Sequence, residues 1–130
     1  MEKKLISDFE IEIDNVGEIL NMGGPWVGTL LIQGEKISDN CIIDNFVFNK
    51  PLGLLFFIKF HVITDYNFYF TINFYNIRSK TGFEFNKEFN MIFIKQFVGP
   101  SEIEIYNAFH DQFPDKKDIF NIDNEAFKPM

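Results

Sequence analysis

The side chains that could do covalent or acid–base chemistry are few: one cysteine, Cys41, and two histidines, His61 and His110. A nucleophilic site needs Cys41 or a serine held against an imidazole, with a third group orienting the base. Cys41 stands in CIIDNF, which has no glycine elbow and no nucleophile-flanking motif. In that apolar strand pattern it reads as a small buried hydrophobe without a chemical role. His110, Asp111 and Asp115 in HDQFPD could offer an imidazole and two carboxylates to a cation, but their spacing fits no standard loop. DNEAF and IDNF read as Asp-Asn turns. Glu10, Glu12, Glu84, Glu88, Glu102 and Glu104 fall on outward strand positions and single out no glycosidase pair. The glycine-rich NMGGPWVG lacks the Lys-Ser or Lys-Thr and the helix start of a phosphate cradle. It reads as a loop, with Trp26 beside it either anchoring the core, the preferred reading for one Trp in a small domain, or sitting at a rim. No catalytic residue, metal or cofactor is expected, and the chain does not read as an enzyme.

Recognition chemistry is better represented. In NFYFTINFYN, Asn67–Asn76, Phe68, Phe70, Ile72 and Phe74 alternate with Tyr69, Thr71, Asn73 and Tyr75. Pairing this segment with residues 54–62 so that Val62 faces Phe68 sets Phe60 opposite Phe70, Ile58 opposite Ile72 and Phe56 opposite Phe74. That face is wholly apolar. The same register sets His61 opposite Tyr69, Lys59 opposite Thr71, Phe57 opposite Asn73 and Leu55 opposite Tyr75. Cross-strand partners lie about 5 Å apart, so Phe57, Lys59, His61, Tyr69, Asn73 and Tyr75 form one mixed patch. A one-residue slip would bury Asn73 and expose four large apolar groups, so the parity is well specified. Tyr and His combine apolar bodies with polar tips, as interface cores do. The patch either faces solvent as a protein-binding surface or is covered by a second layer, such as the tail with Phe120 and Phe127.

The elements that position this patch are strands. Phe accounts for 18 of 130 residues, and Ala occurs only at positions 108 and 126. Aromatic and β-branched residues favour pleated surfaces, and the best helix former is nearly missing. AT-rich coding explains part of the Phe and Asn excess equally well. Two-residue periods recur in DFEIEID, WVGTLLIQ, residues 40–48, LLFFIKFHVI, YNFYFTINFYNI, FEFNKEF, MIFIKQFV and EIEIYNAFH, with turn residues between. The expectation is one domain over residues 1–130, all-β, an antiparallel meander of about eight strands forming a sandwich or flattened open barrel. At most a short helix is expected, near residues 16–20 or 123–127, and the tail from Asp111 loses the pattern.

The net charge of −7 disfavours nucleic acid, whose binding rests on Lys and Arg, and favours a basic partner. One cysteine excludes an internal disulfide and suits a reducing compartment. MEKKLISDFEIEID has no apolar core of a signal peptide, and no run reaches the roughly 20 apolar residues of a membrane span. A cytoplasmic location without membrane contact is expected. The edge strands carry no evident guard, so two copies could pair through an edge or the aromatic patch.

In GGPWVGTLLIQG and EIEIYNAFHD, and in size, charge and β content, the chain resembles small acidic bacterial immunity proteins, the antidotes carried beside secreted toxins. The resemblance implies a non-catalytic protein that blocks one cognate toxin, and it carries over no functional residue. From the residues themselves, the binding patch is Phe57, Lys59, His61, Tyr69, Asn73 and Tyr75, flanked by Glu10, Glu12, Glu84 and Glu88. The alternative is a barrel carrier enclosing an apolar small molecule among the phenylalanines.

Overall fold

The computed structural model describes residues 2–6, 9–18, 25–64 and 67–130. The described residues form eleven strands: β1 (Glu2–Ile6), β2 (Phe9–Glu18), β3 (Trp26–Ile32), β4 (Glu35–Asn49), β5 (Leu54–Thr64), β6 (Asn67–Asn76), β7 (Thr81–Phe85), β8 (Phe93–Phe97), β9 (Glu102–Tyr106), β10 (Lys117–Asn121) and β11 (Phe127–Pro129). The class is all-β, as expected. An open eight-stranded antiparallel sheet runs β1-β2-β3-β4-β5-β6-β7-β11, and a three-stranded sheet runs β10-β9-β8. Each sheet is a meander apart from β11, which returns from the second sheet to pair with β7 at the edge of the first.

Local chemistry sets the turns. Gln33 and Gly34 both have positive φ, 51° and 85°, between the paired residues Ile32 and Glu35. Two left-handed central residues match the twist of a two-residue hairpin. The Asn76 side chain accepts hydrogen bonds from the Arg78 and Ser79 amides at 3.0 and 3.1 Å, and this closes the turn into β7. Between Asp14 and Gly17 the β2–β3 register shifts, with Asn15 at φ 52°. There β2 crowds Gly28, where a Cβ would sit 2.6 Å from Ile13 Cγ2 and 2.7 Å from the Asp14 carbonyl oxygen. Only glycine fits that approach without a shift.

The β5–β6 hairpin is the centre of the molecule, and its register is the one expected from alternation, from Leu55↔Tyr75 to Val62↔Phe68. Its even-numbered face meets the second sheet. Phe56, Ile58, Phe60, Phe70, Ile72 and Phe74 pack there with Ile94, Ile103, Ile105 and Phe120. Its odd-numbered face is covered as well. Leu55, Phe57 and Tyr75 join Ile11, Ile13, Leu30, Ile32 and Cys41 in a second core. The first sheet therefore curls until β2, β3 and β4 lie over the face of β5 and β6.

The curl is made in β4. Its pairing with β5 passes from Cys41↔Lys59 to Phe46↔Phe57, so extra β4 residues stand against a short step of β5. Such a bulge bends a strand and increases its twist. Asn45 sits in the bend, fully used. Its Nδ2 donates to the Ile94 carbonyl at 2.7 Å, and its Oδ1 accepts from the Ile94 amide at 2.8 Å. The side chain thus imitates one residue of a neighbouring strand and ties β4 to β8. Asp44 and Asn45 belong to this strand and not to the Asp-Asn turn expected of IDNF.

Several other expectations are corrected. The tail is structured, with a 3-10 turn at Pro114–Lys116 followed by β10 and β11, and in place of a helix over 123–127 the chain turns through 123–126 and enters β11 at Phe127. Phe120 and Phe127 cover the even face, beside Phe85 and Phe74, instead of the mixed patch. Trp26 is 48% exposed, so of its two expected positions it takes the rim and not the core. Of the other proposed helix, residues 16–18 belong to β2, while 19 and 20, like 21–24 of the glycine-rich loop, lie outside the described residues.

Candidate protein-binding face

The odd face of the hairpin is divided by burial. Phe57 and Asn73 are fully buried, and Tyr75 nearly so. Burial, with the Glu35 carboxylate second, pushes the Tyr75 phenol above its ordinary value. These three cannot touch a partner while the curl is closed. Lys59, His61 and Tyr69 remain half-buried, toward the end of the hairpin where Val62 and Ile63 are 64% and 59% exposed.

A polar network fixes that end. The His61 and Tyr69 rings, paired across β5 and β6, stack at 4.6 Å and 7°. His61 Nε2 lies 2.6 Å from Glu84 Oε2 and 2.9 Å from Thr71 Oγ1. The Thr71 hydroxyl donates to Glu84 Oε2 at 2.8 Å. Asn73 Nδ2 donates to the Thr71 hydroxyl and carbonyl oxygens at 3.0 and 3.1 Å. Lys128 Nζ stands 3.7 Å from Glu84 Oε1, which brings β11 into the network. Asn73 Oδ1 is buried without a hydrogen-bond partner among the described residues. Glu84 thus joins the patch it was expected to flank. Glu88 and Glu10 are exposed elsewhere, and Glu12 is half-buried on β2.

His61, Thr71 and Glu84 share the residue types of a hydrolytic triad but not its geometry. A triad uses one imidazole nitrogen for the nucleophile and the other for the carboxylate. Here Nε2 faces both. The imidazole therefore does not stand between hydroxyl and carboxylate, and the Thr71 hydroxyl donates directly to Glu84. The arrangement holds the stacked rings in place.

The other reactive groups stand apart. Cys41 is buried, its Sγ 3.7 Å from each of the Ser38 and Asp39 carbonyl oxygens, and burial pushes its thiol up to about 12. His110 stacks on Phe113 at 5.1 Å, while Asp111 pairs with Lys95 at 3.1 Å. Among the described residues, no three of His, Cys, Asp or Glu gather as a metal set. Sequence reasoning missed one polar unit on the second sheet. Gln96 donates to Glu104 at 3.2 Å and the Tyr106 hydroxyl at 2.9 Å, and together they hold the Glu104 carboxyl below its ordinary 4.5. The alternation of EIEIY, which sets Glu104 and Tyr106 on one side, was the available signal.

A recess of about 380 Å³ opens at the bend of β4, lined by Trp26, Ile42, Asp44, Phe93, Phe109 and His110 among others. Among the described residues no helix is long and apolar enough to cross a membrane. Comparisons with protein-family models, with curated proteins and with solved structures find no match to this chain.

Proposed function

We propose that the protein is a non-catalytic binding module that acts as an inhibitor of immunity type, blocking a basic toxin in the cytoplasm of the cell that makes both. One observation carries this reading. The exposed Val62 and Ile63 adjoin an aromatic pair, His61 and Tyr69, already stacked and held by Glu84 and Thr71. Scattered exposed apolar residues are ordinary. An apolar tip beside rings with fixed rotamers is a surface that loses little entropy on docking. The net charge of −7 favours encounter with a basic partner. Lys59, His61 and Tyr69 stay in the proposed contact, Val62 and Ile63 join it, and Phe57, Asn73 and Tyr75 support it from beneath. A carrier is less favoured, because the first sheet is open and phenylalanines fill both sides of the hairpin.

The test is calorimetry with the product of the adjacent gene, set beside thermal unfolding of the free protein. Tyr69→Ala and Ile63→Ser should each weaken the complex by about 2 kcal/mol or more, as hot-spot residues do, with little change in the free fold. Unchanged affinity in both variants overturns the hairpin end as the contact. If sedimentation shows that the same substitutions dissolve a homodimer, the partner is a second copy and the toxin reading falls.

A further inference from the structure

The recess at the β4 bend has walls and a rim of different chemistry. Ile42 is buried, and Phe93 and Phe109 are half-buried. Phe109 packs edge-on against Phe70 at 5.4 Å, so this wall is continuous with the main core. Asn45 fixes the floor, because both polar ends of its side chain are held by Ile94. Trp26 leaves 48% of its surface exposed. The Asp44 side chain is exposed and, among the described residues, makes no hydrogen bond or ion pair. Among the described residues its neighbours in the recess are aromatic or aliphatic apart from Asn45 and His110, and of these the imidazole alone can carry positive charge.

This combination selects a ligand. An anion would meet Asp44 within a chain of net charge −7. A neutral apolar group would gain from the walls but leave the carboxylate unused. A cation on an apolar stem matches both, with the stem against Ile42, Phe93 and Phe109 and the head between the Asp44 carboxylate and the electron-rich face of Trp26. The volume, about 380 Å³, lies at the small end of ligand sites. We infer that this recess takes one lysine or arginine side chain projecting from a protein partner. The inference rests on the basic-partner reading above and adds a second contact to the hairpin end.

Trp26 is the single tryptophan, so intrinsic fluorescence reports from the recess without a label. The probes are N-acetyl-arginine amide, N-acetyl-lysine amide and the uncharged N-acetyl-norleucine amide, titrated into the full chain. A cationic probe should give a saturable change at a concentration about tenfold below the norleucine amide, the ratio set by one charge-assisted contact. Added sodium chloride should weaken the cation and leave norleucine unchanged. Asp44→Asn should bring the cationic probes down to the norleucine level with an unchanged unfolding midpoint. Equal binding of norleucine and lysine amides, a preference that survives Asp44→Asn, or no saturable change with any amide overturns the proposal. The titration needs no partner, so it can fail while the hairpin end still binds, and succeed where the toxin reading fails.

Discussion

The two faces of the β5–β6 hairpin are covered by different means. The even face is apolar throughout and is closed by a separate sheet. The odd face is apolar only at its root, where β2, β3 and β4 curl over Leu55, Phe57 and Tyr75. Farther along, it becomes a hydrogen-bonded seam of Asn73, Thr71, Glu84 and His61, and then emerges. An aromatic residue therefore has a role set by its distance from the root as much as by its type. Tyr75 and Tyr69 share a face and a strand, yet one is core and the other is surface.

The largest effect tests whether the curled cover is a true core. Phe57→Ala should cost about 3–5 kcal/mol, as much as Phe70→Ala on the even face, measured by denaturant unfolding. That loss is a large part of an ordinary stability of roughly 5–15 kcal/mol. A Phe57→Ala protein with an unchanged midpoint would mean that the odd face is open. Next comes the tie between the sheets. Asn45→Ala leaves the Ile94 amide and carbonyl without the side chain that satisfies them, at about 1–3 kcal/mol for such groups. Asn45→Asp should be no better, because a carboxylate cannot donate to the Ile94 carbonyl. If either variant unfolds like the parent, the sheets do not depend on this contact.

A smaller effect probes the odd-face core through its thiol. Cys41 should resist a thiol reagent in the native state at pH 8 and react only on unfolding, because burial holds it protonated. The native value, about 12, lies above the ordinary 9.0, so above pH 9 the unfolded chain loses a proton that the native chain keeps. Stability from this group is whole below that pH and declines as pH rises toward 12. Rapid native labelling would show that the curl opens readily. The smallest effect is at the hairpin end, where Val62→Ser should shift unfolding by no more than about 0.5 kcal/mol, as surface changes do. A larger loss would place Val62 under cover.

Strict alternation made the hairpin register legible, since only one parity buries Phe68, Phe70, Ile72 and Phe74 together. The bend of β4 was not legible. It depends on where CIIDNF leaves its partner strand, and Asp44–Asn45 carries the same local signal whether it turns the chain or bulges it. With the bend went the cover of the odd face, and so the burial of Phe57, Asn73 and Tyr75. The eight expected segments match β2 to β9, so β1 (EKKLI) escaped notice, as did β10 and β11, which are short and have Phe120 as the only fully buried residue between them. His61 and Tyr69 were found by cross-strand pairing. Their link to Glu84 required β7 beside β6, with Asn73 opposite Glu84.

The bond between Asn45 and Ile94 spans 49 positions of chain. Neighbouring strands of each meander, in contrast, can zip from their own turns. Hairpins form in about 1–10 μs, and closing a longer loop carries a larger entropic cost. The order of refolding follows. The hairpins come first, and the second sheet docks afterwards, with Asn45 as the latch. Until then Phe56, Phe60, Phe70 and Phe74 stand bare on a nascent sheet, a template for association with other chains. Pulse labelling during refolding should find the Ile94 amide protected after those of Ile58 and Ile72. Simultaneous protection would mean that the two sheets assemble as one nucleus. A weakened latch would then show itself less in the melting point than in the yield of folded protein recovered from concentrated solution.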